Sequence, residues 1–195
     1  NIKEIHVVAV KNECKELLVI CQQTTVNSQQ TSCNNLLSAV DLRENWRFNF
    51  SEEEEQNANV SFADEIGKYL YEPGVACMKA APFRLLSQRF NIKKLDRNSH
   101  LYTSDELVTD FPGRIFEVIN VVPFDKKAKK VLSQQTTDNG QQTLSKASIA
   151  VRNFPLSAEE LRKHLGFKDG DDFYIFGTTM RGEKKILVLG KRVEN

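Results

Sequence analysis

The chain has 195 residues, 40% of them hydrophobic and 27% charged, with a formal net charge of +1. That composition belongs to an ordinary globular chain, long enough for one medium or two small domains. It contains no apolar run of the ~18 residues that a membrane-spanning helix requires, so no membrane partner is expected, and no charged-then-apolar leader opens it.

The charge is uneven. Residues 1–96 carry 11 Lys/Arg against 13 Asp/Glu, and residues 97–195 carry 16 against 13. A mildly basic second part permits nucleic-acid binding without establishing it. The chain opens at Asn1 with "NIKEIHVVAV" and no initiator Met, which reads as the interior of a longer protein, the mature end of a processed precursor being the alternative. Cys14, Cys21, Cys33 and Cys77 form no C-x-x-C pair and have no His cluster to match, so a zinc site is not expected. Isolated thiols in or beside apolar runs read as reduced core residues, and with them a cytoplasmic location.

In chain order, "EIHVVAV" and "ELLVICQ" are apolar runs of strand length joined by "KNECK". The charge-free "QQTTVNSQQTSCNN" is expected to be a long loop. "LLSAVDL" and "WRFNF" are two more strands, and "SEEEE" is a solvated loop or helix start. A strand ending at Tyr71 then leads into one or two helices, with "LLSQRF" helical in pattern.

From residue 97 the order is clearer. "RIFEVINVVPF" has apolar residues on both faces, as a central strand should. Asp125 is expected to cap a helix, "KKAKKVL", whose apolar stripe is Ala128, Val131 and Leu132. "SQQTTDNGQQTLS" reads as a second polar loop, followed by the strand "ASIAVRNF". Next, Ser157 and Glu160 have capping-box spacing, Leu156 and Leu161 the positions of a hydrophobic staple, and Gly166 the place of a helix stop. "DDFYIFGTT" and "KKILVLGKR" close as a hairpin. The sum is an α+β chain whose second part is a small α/β sandwich of order β-α-β-α-β-β, with its helices on one face.

Three stretches in this order, "YLYEPGVACMKA", "NSHLYTSDELVTDFPGR" and "VRNFPLSAEELRKHLGFKDGDDFYIFGTT", resemble the C-terminal half of a bacterial family of class I S-adenosylmethionine-dependent methyltransferases. In that family a catalytic domain is followed by a ferredoxin-like and then a THUMP-like domain. "IHVVAVKNECKELLV" is similar to the ferredoxin-like piece, so the resemblance covers nearly the whole chain, departing at the Gln/Thr-rich loop of 134–143 and at "DGDD". It implies a ferredoxin-like domain with connecting helices over 1–96 and a THUMP-like domain over 97–195. It also implies methyl transfer from S-adenosylmethionine by the full-length protein.

The nine glycines never form G-x-G, and no N/D-P-P-aromatic motif is present. A Rossmann-type cofactor domain is therefore not expected in this chain, which is read as carrying no catalytic residues, cofactor or metal of its own. The adjacent Ser99–His100 pair lacks a third orienting group, and "KDGDD" lacks the spacing of a calcium loop and reads as a turn.

The remaining candidates are basic. Lys126, Lys127, Lys129 and Lys130 occupy helix faces that the apolar stripe leaves open, Arg152 points opposite to Ile149 and Val151, Arg162 and Lys163 lie off the Leu161/Leu165 stripe, and Arg114 follows a turn. Scattered cations on a rigid support are what docking of a structured RNA through its phosphates needs; a merely solvated surface is the plainer alternative. Tyr71, Glu72, Pro73, His100 and Tyr102 read as a domain junction that packs against the catalytic domain. The rival to RNA presentation is a module that braces the catalytic domain or dimerises.

Overall fold

A computed structural model describes residues 2–21, 35–137 and 140–194, and the chain divides into two compact units. The first draws on the chain up to Ser61, then on Pro73–Ile92 and Asp110–Arg114. The second draws on Phe62–Glu72, Lys93–Thr109 and the chain from Ile115. The units interleave along the sequence, whereas the sequence reading divides the chain once, at 96/97. The cause is that short strands between residues 69 and 104 belong to the second unit while the helices between them belong to the first.

In the first unit β1 (Ile2–Val10), β2 (Glu13–Cys21), β3 (Leu36–Asp41) and β4 (Trp46–Ser51) form a sheet of order β2-β1-β3-β4. Lys11 and Asn12, with φ of 54° and 56°, make the two-residue β1–β2 connection, the backbone that a tight hairpin demands. Register places Val7, Ala39 and Phe48 side by side, and these three residues are buried. The acidic run is a helix start: α1 (Glu52–Asn57) is capped by Ser51, whose hydroxyl accepts from Glu54 N while Glu54 accepts from Ser51 N. Helices α2 (Val75–Ala80) and α3 (Phe83–Arg89) follow. Cys77 is a core thiol whose ionisation burial pushes far up. Cys14 and Cys21, read from sequence as core, are exposed instead, because β2 is the outer strand and leaves all nine of its residues exposed. Cys33 and most of the first Gln/Thr-rich stretch lie outside the described residues.

The second unit is built on a seven-stranded sheet of order β11-β12-β13-β8-β5-β7-β6. Its strands are β5 (Tyr69–Pro73), β6 (Lys93–Lys94), β7 (Tyr102–Ser104), β8 (Gly113–Pro123), β11 (Ser148–Arg152), β12 (Tyr174–Met180) and β13 (Lys184–Arg192). The long strand β8 is central, as its two-faced apolarity predicts. Helices α4 (Ala128–Ser133) and α5 (Ala158–Leu165) share one core, in which Leu132, Leu161 and Leu165 meet Ile175, Leu187 and Leu189. The opposite face has a second core of Leu70, Leu95, Leu101, Phe116, Phe176 and Val188.

Two local expectations change. The second polar stretch forms a pair of strands, β9 (Gln134–Thr137) and β10 (Gly140–Thr143), rather than a loop. Asp125 accepts from Lys127 N at 2.7 Å, one step before the helix, and the N-cap itself is Lys127. Val131 is exposed, so the stripe of α4 is Ala128 and Leu132 alone.

Candidate nucleic-acid interface

The stretch from β11 to α5 folds as its sequence dictates. The Ser157 hydroxyl accepts from Glu160 N at 3.2 Å and Glu160 Oε2 accepts from Ser157 N at 2.8 Å. Two amides that the helix start leaves open are thereby satisfied. The Ser157 backbone bond, with its hydroxyl and the nearby Lys163, lowers the pKa of Glu160. Gly166, at φ 71°, stops the helix in the left-handed region. A Cβ there would meet Lys129 Nζ at 2.6 Å, so that ammonium sits at the negative end of α5.

The cations read as a docking surface are not equivalent. Alternation along β11 sends Arg152 to the side of Ala150, which packs on the second core. That side is covered in part by chain. Arg152 Nη2 donates to Glu72 Oε1 at 2.7 Å, Glu72 being 2% exposed and Arg152 35%. Arg162 pairs with Asp169 at 2.9 Å and donates to the Ala147 carbonyl. Both arginines are half-buried and paired within the chain, where the sequence reading expects them exposed. Arg114 is half-buried and engaged within the chain. Lys126, Lys127, Lys129, Lys130 and Lys163 are exposed and form no ion pair among the described residues.

The residues read as a junction are mostly interior. Tyr71 and Tyr102 face each other across β5 and β7 and are fully buried. Tyr71 Oη donates to the Glu106 carbonyl and accepts from Val108 N. No surface of these rings is left for a further domain to cover. Pro73 is buried as well. The pKa of His100 is lowered to about 4 by burial and by the positive charges of Lys94 and Arg152. Ser99 is buried and donates to the Thr179 carbonyl, a structural bond that leaves it unavailable as a nucleophile.

The structure assembles a cleft that no sequence pattern announces. Asp96, Arg97 and Asn98 line one side, Asn153, Phe154 and Pro155 the second, and Thr179, Glu183 and Lys185 the third, around a volume of about 580 Å³. Lys94, buried at 3% exposure, donates to the carbonyls of Asp96 and Arg97 and so fixes the first side. Asp96 Oδ1 accepts from Asn98 N at 3.0 Å and from Asn153 Nδ2 at 3.3 Å. Thr179 Oγ1 donates to the Asn153 carbonyl. Asn153 holds φ 53°, which Asn tolerates better than most residues. An Asn ahead of Phe-Pro was the only local signal available.

An S-adenosylmethionine cradle needs a strand, a glycine turn and a helix with backbone open to the ligand. Among the described residues the one strand–glycine–helix step is β5–Gly74–α2, and a Cβ on Gly74 would meet Trp46 at 2.7 Å. The indole fills the space a cofactor would use, so the residues present do not fit that group. Among the described residues no group of three or more His, Cys, Asp or Glu is placed to hold a metal ion, and no helix is long and apolar enough to cross a membrane.

Residues 69–112 match a ferredoxin-like domain family, and residues 113–192 a THUMP domain-like family. The first match begins at 69, where the sequence reading starts the ferredoxin-like domain at residue 1. Over 99% of its length the chain is similar to the crystal structure of a candidate methyltransferase from Porphyromonas gingivalis W83, at 37% identity and a TM-score of 0.84. It spans 46% of that chain, under half of its length. No curated protein matches. The chain is an α+β polypeptide that carries a ferredoxin-like domain followed by a THUMP-like domain.

Proposed function

We propose that this chain is the substrate-presenting portion of an S-adenosylmethionine-dependent methyltransferase. In this reading the THUMP-like domain binds a structured RNA and offers it to a catalytic domain carried elsewhere in the full-length protein, where the cofactor also binds. The carrying observation is the combination of the THUMP domain-like match over 113–192 with four exposed lysines, Lys126, Lys127, Lys129 and Lys130, around one short helix. Four exposed ammonium groups without acidic partners among the described residues suit phosphate oxygens, whose recognition needs charge and reach rather than base reading. Similarity to a candidate methyltransferase supports the catalytic context.

The test is a salt titration of RNA binding with the intact chain. Changing the four lysines together to Ala should weaken binding and flatten the slope of log K against log salt by up to about 3.6, at roughly 0.7–0.9 for each phosphate no longer neutralised. Equal affinity and slope for both proteins would remove this surface from the reading.

A second reading is favoured by one observation. Leu17, Leu18, Val19 and Ile20 lie consecutively on the outer strand β2, and Leu17 is 63% exposed. Exposed apolar edge strands are unusual unless something covers them, and a bracing role against another domain or another copy would use this edge.

A further inference from the structure

We propose that the cleft between Arg97, Phe154 and Lys185 receives a single unpaired nucleotide of the RNA, with its base on Phe154 and its phosphate between the two cations. The inference rests on the RNA reading above and deepens it. At about 580 Å³ the cleft has the size of a small-molecule site, within the roughly 300–1,000 Å³ typical of such sites. A duplex cannot enter such a space, whereas one nucleotide swung out of a stack can.

The lining supplies what a nucleotide asks for. Phe154 is braced by the Phe124 ring, edge-to-face at 5.0 Å. Below it the strand is bare at Gly177, where a Cβ would meet Phe154 Cδ1 at 3.0 Å. The ring is thus held still, and because it is only partly buried and lines the cleft it offers a stacking surface, which tolerates any base because every base has a π-face. The amides of Asn98 and Asn153 both donate and accept, the pattern that a base edge requires. Arg97 and Lys185 are exposed, have no ion pair among the described residues, and can take the phosphate. Glu183 lines the cleft too and repels a phosphate from its own side, while Asp96 is already engaged by Asn98 and Asn153. The bonds from Ser99 to Thr179, from Thr179 to Asn153 and from Asn153 to Asp96 tie the walls together. Little ordering is then left for binding to impose.

The experiment compares the intact chain on two labelled RNAs by fluorescence anisotropy: a blunt duplex of about 16 base pairs, and the same duplex with one bulged nucleotide. One stacked base should make the bulged RNA bind about tenfold tighter. Asn98→Ala should bring the two RNAs close to parity while leaving blunt-duplex binding unchanged. Asn98 is exposed, so a thermal melt matching wild type is expected of the variant. As a measurement free of mutation, millimolar adenosine 5′-monophosphate should displace the bulged RNA and not the blunt one. Equal affinity of wild type for both RNAs, a preference untouched by Asn98→Ala, or no displacement by the mononucleotide would overturn the cleft assignment and leave general RNA docking standing. Failure to bind either RNA would overturn the RNA reading itself.

Discussion

The run "ELLVIC" on β2 and the run "KKILVLGKR" on β13 are similar in apolar content, yet β2 exposes all nine of its residues while β13 buries its central five, Ile186 to Gly190. Strand β13 has neighbours on both sides in the seven-stranded sheet and β2 is the outer strand of the four-stranded one. The sheet of β13 also carries a hydrophobic core on each face. An apolar run therefore records what a strand can bury, and topology decides what it does bury. The same lesson governs the charges: Arg152 reads as solvent-facing only if its sheet has one covered face, and it has two.

The comparison is broken most forcefully in the second unit. Phe116 is fully buried, with Tyr174 and Phe176 at ring-centroid distances of 4.9 and 4.8 Å. Phe116→Ala should cost about 3–5 kcal/mol by the loss of transfer energy and the cavity left behind. Urea unfolding would measure it, and a loss under about 1 kcal/mol would mean that this core is looser than the geometry shows.

Next comes the ion pair. Arg152→Ala takes the guanidinium away from the Glu72 carboxylate, which is 2% exposed. The cost should be about 3 kcal/mol, at the low end for a broken buried pair because the guanidinium retains some solvent. Glu72→Gln with Arg152→Met should recover most of that loss, since the double change leaves no uncompensated charge. An unchanged midpoint for Arg152→Ala would restore the exposed reading of this residue.

How far the sequence leads is visible at these positions. Local signals were legible: the Ser157–Glu160 box, the Gly166 stop, the two-faced apolarity of β8 and the closing hairpin each rest on neighbours within a few residues. Long-range pairing was not. Nothing near Arg152 announces Glu72, eighty residues away, and the cleft joins three segments from separate parts of the chain. The Gln/Thr-rich stretch misled in another way. A charge-free polar run favours a loop by composition, yet β9 and β10 pair their backbones without needing apolar side chains.

A smaller effect tests the cluster around that ion pair through pH. His100 titrates near 4 in the fold, because burial and the charges of Lys94 and Arg152 disfavour its cation, against about 6.5 in an unfolded chain. The unfolded state then binds more protons between those values, so this contribution to stability is complete above about pH 6.5. It is lost progressively as pH falls towards 4. Thermal midpoints should fall across that window in wild type and fall less in His100→Asn, Asn being chosen because position 100 has φ 49°. Parallel curves for the two proteins would show that His100 is not the group responsible.

Both units start a helix with the same device, which allows a matched comparison. Ser51→Ala and Ser157→Ala each remove a hydroxyl that accepts an N3 amide, and each should cost about 0.5–2 kcal/mol. The larger loss is expected for Ser157, because α5 buries Leu161 and Leu165 in its core while α1 buries none of its own residues. The partner carboxylates Glu54 and Glu160 both have lowered pKa values, first through their bonds to the cap backbone. The cap contribution is therefore present above the ordinary carboxylate range and fades as pH falls below it. Melts at pH 7 and pH 3 should show the wild-type advantage shrinking at the lower pH.

The smallest effect is the sharpest test of the contrast between the sheets. Leu18 is 48% exposed on the outer strand, where its neighbour across the ladder is His6. If β2 faces water, Leu18→Lys removes little buried area, since the Lys stem can cover what the Leu covered, and supplies the charge that natural edge strands use against unwanted pairing. Stability should stay within about 0.5 kcal/mol of wild type, and sedimentation should show no change in mass. The equivalent change on β13, Val188→Lys, places a charge at a fully buried position and should prevent folding. A loss of about 2 kcal/mol or more from Leu18→Lys, well outside the range of an exposed substitution, or a fall in sedimenting mass, would mean that something covers β2 in solution. The edge would then be an interface, and the reading in which the chain braces another domain or self-associates would gain.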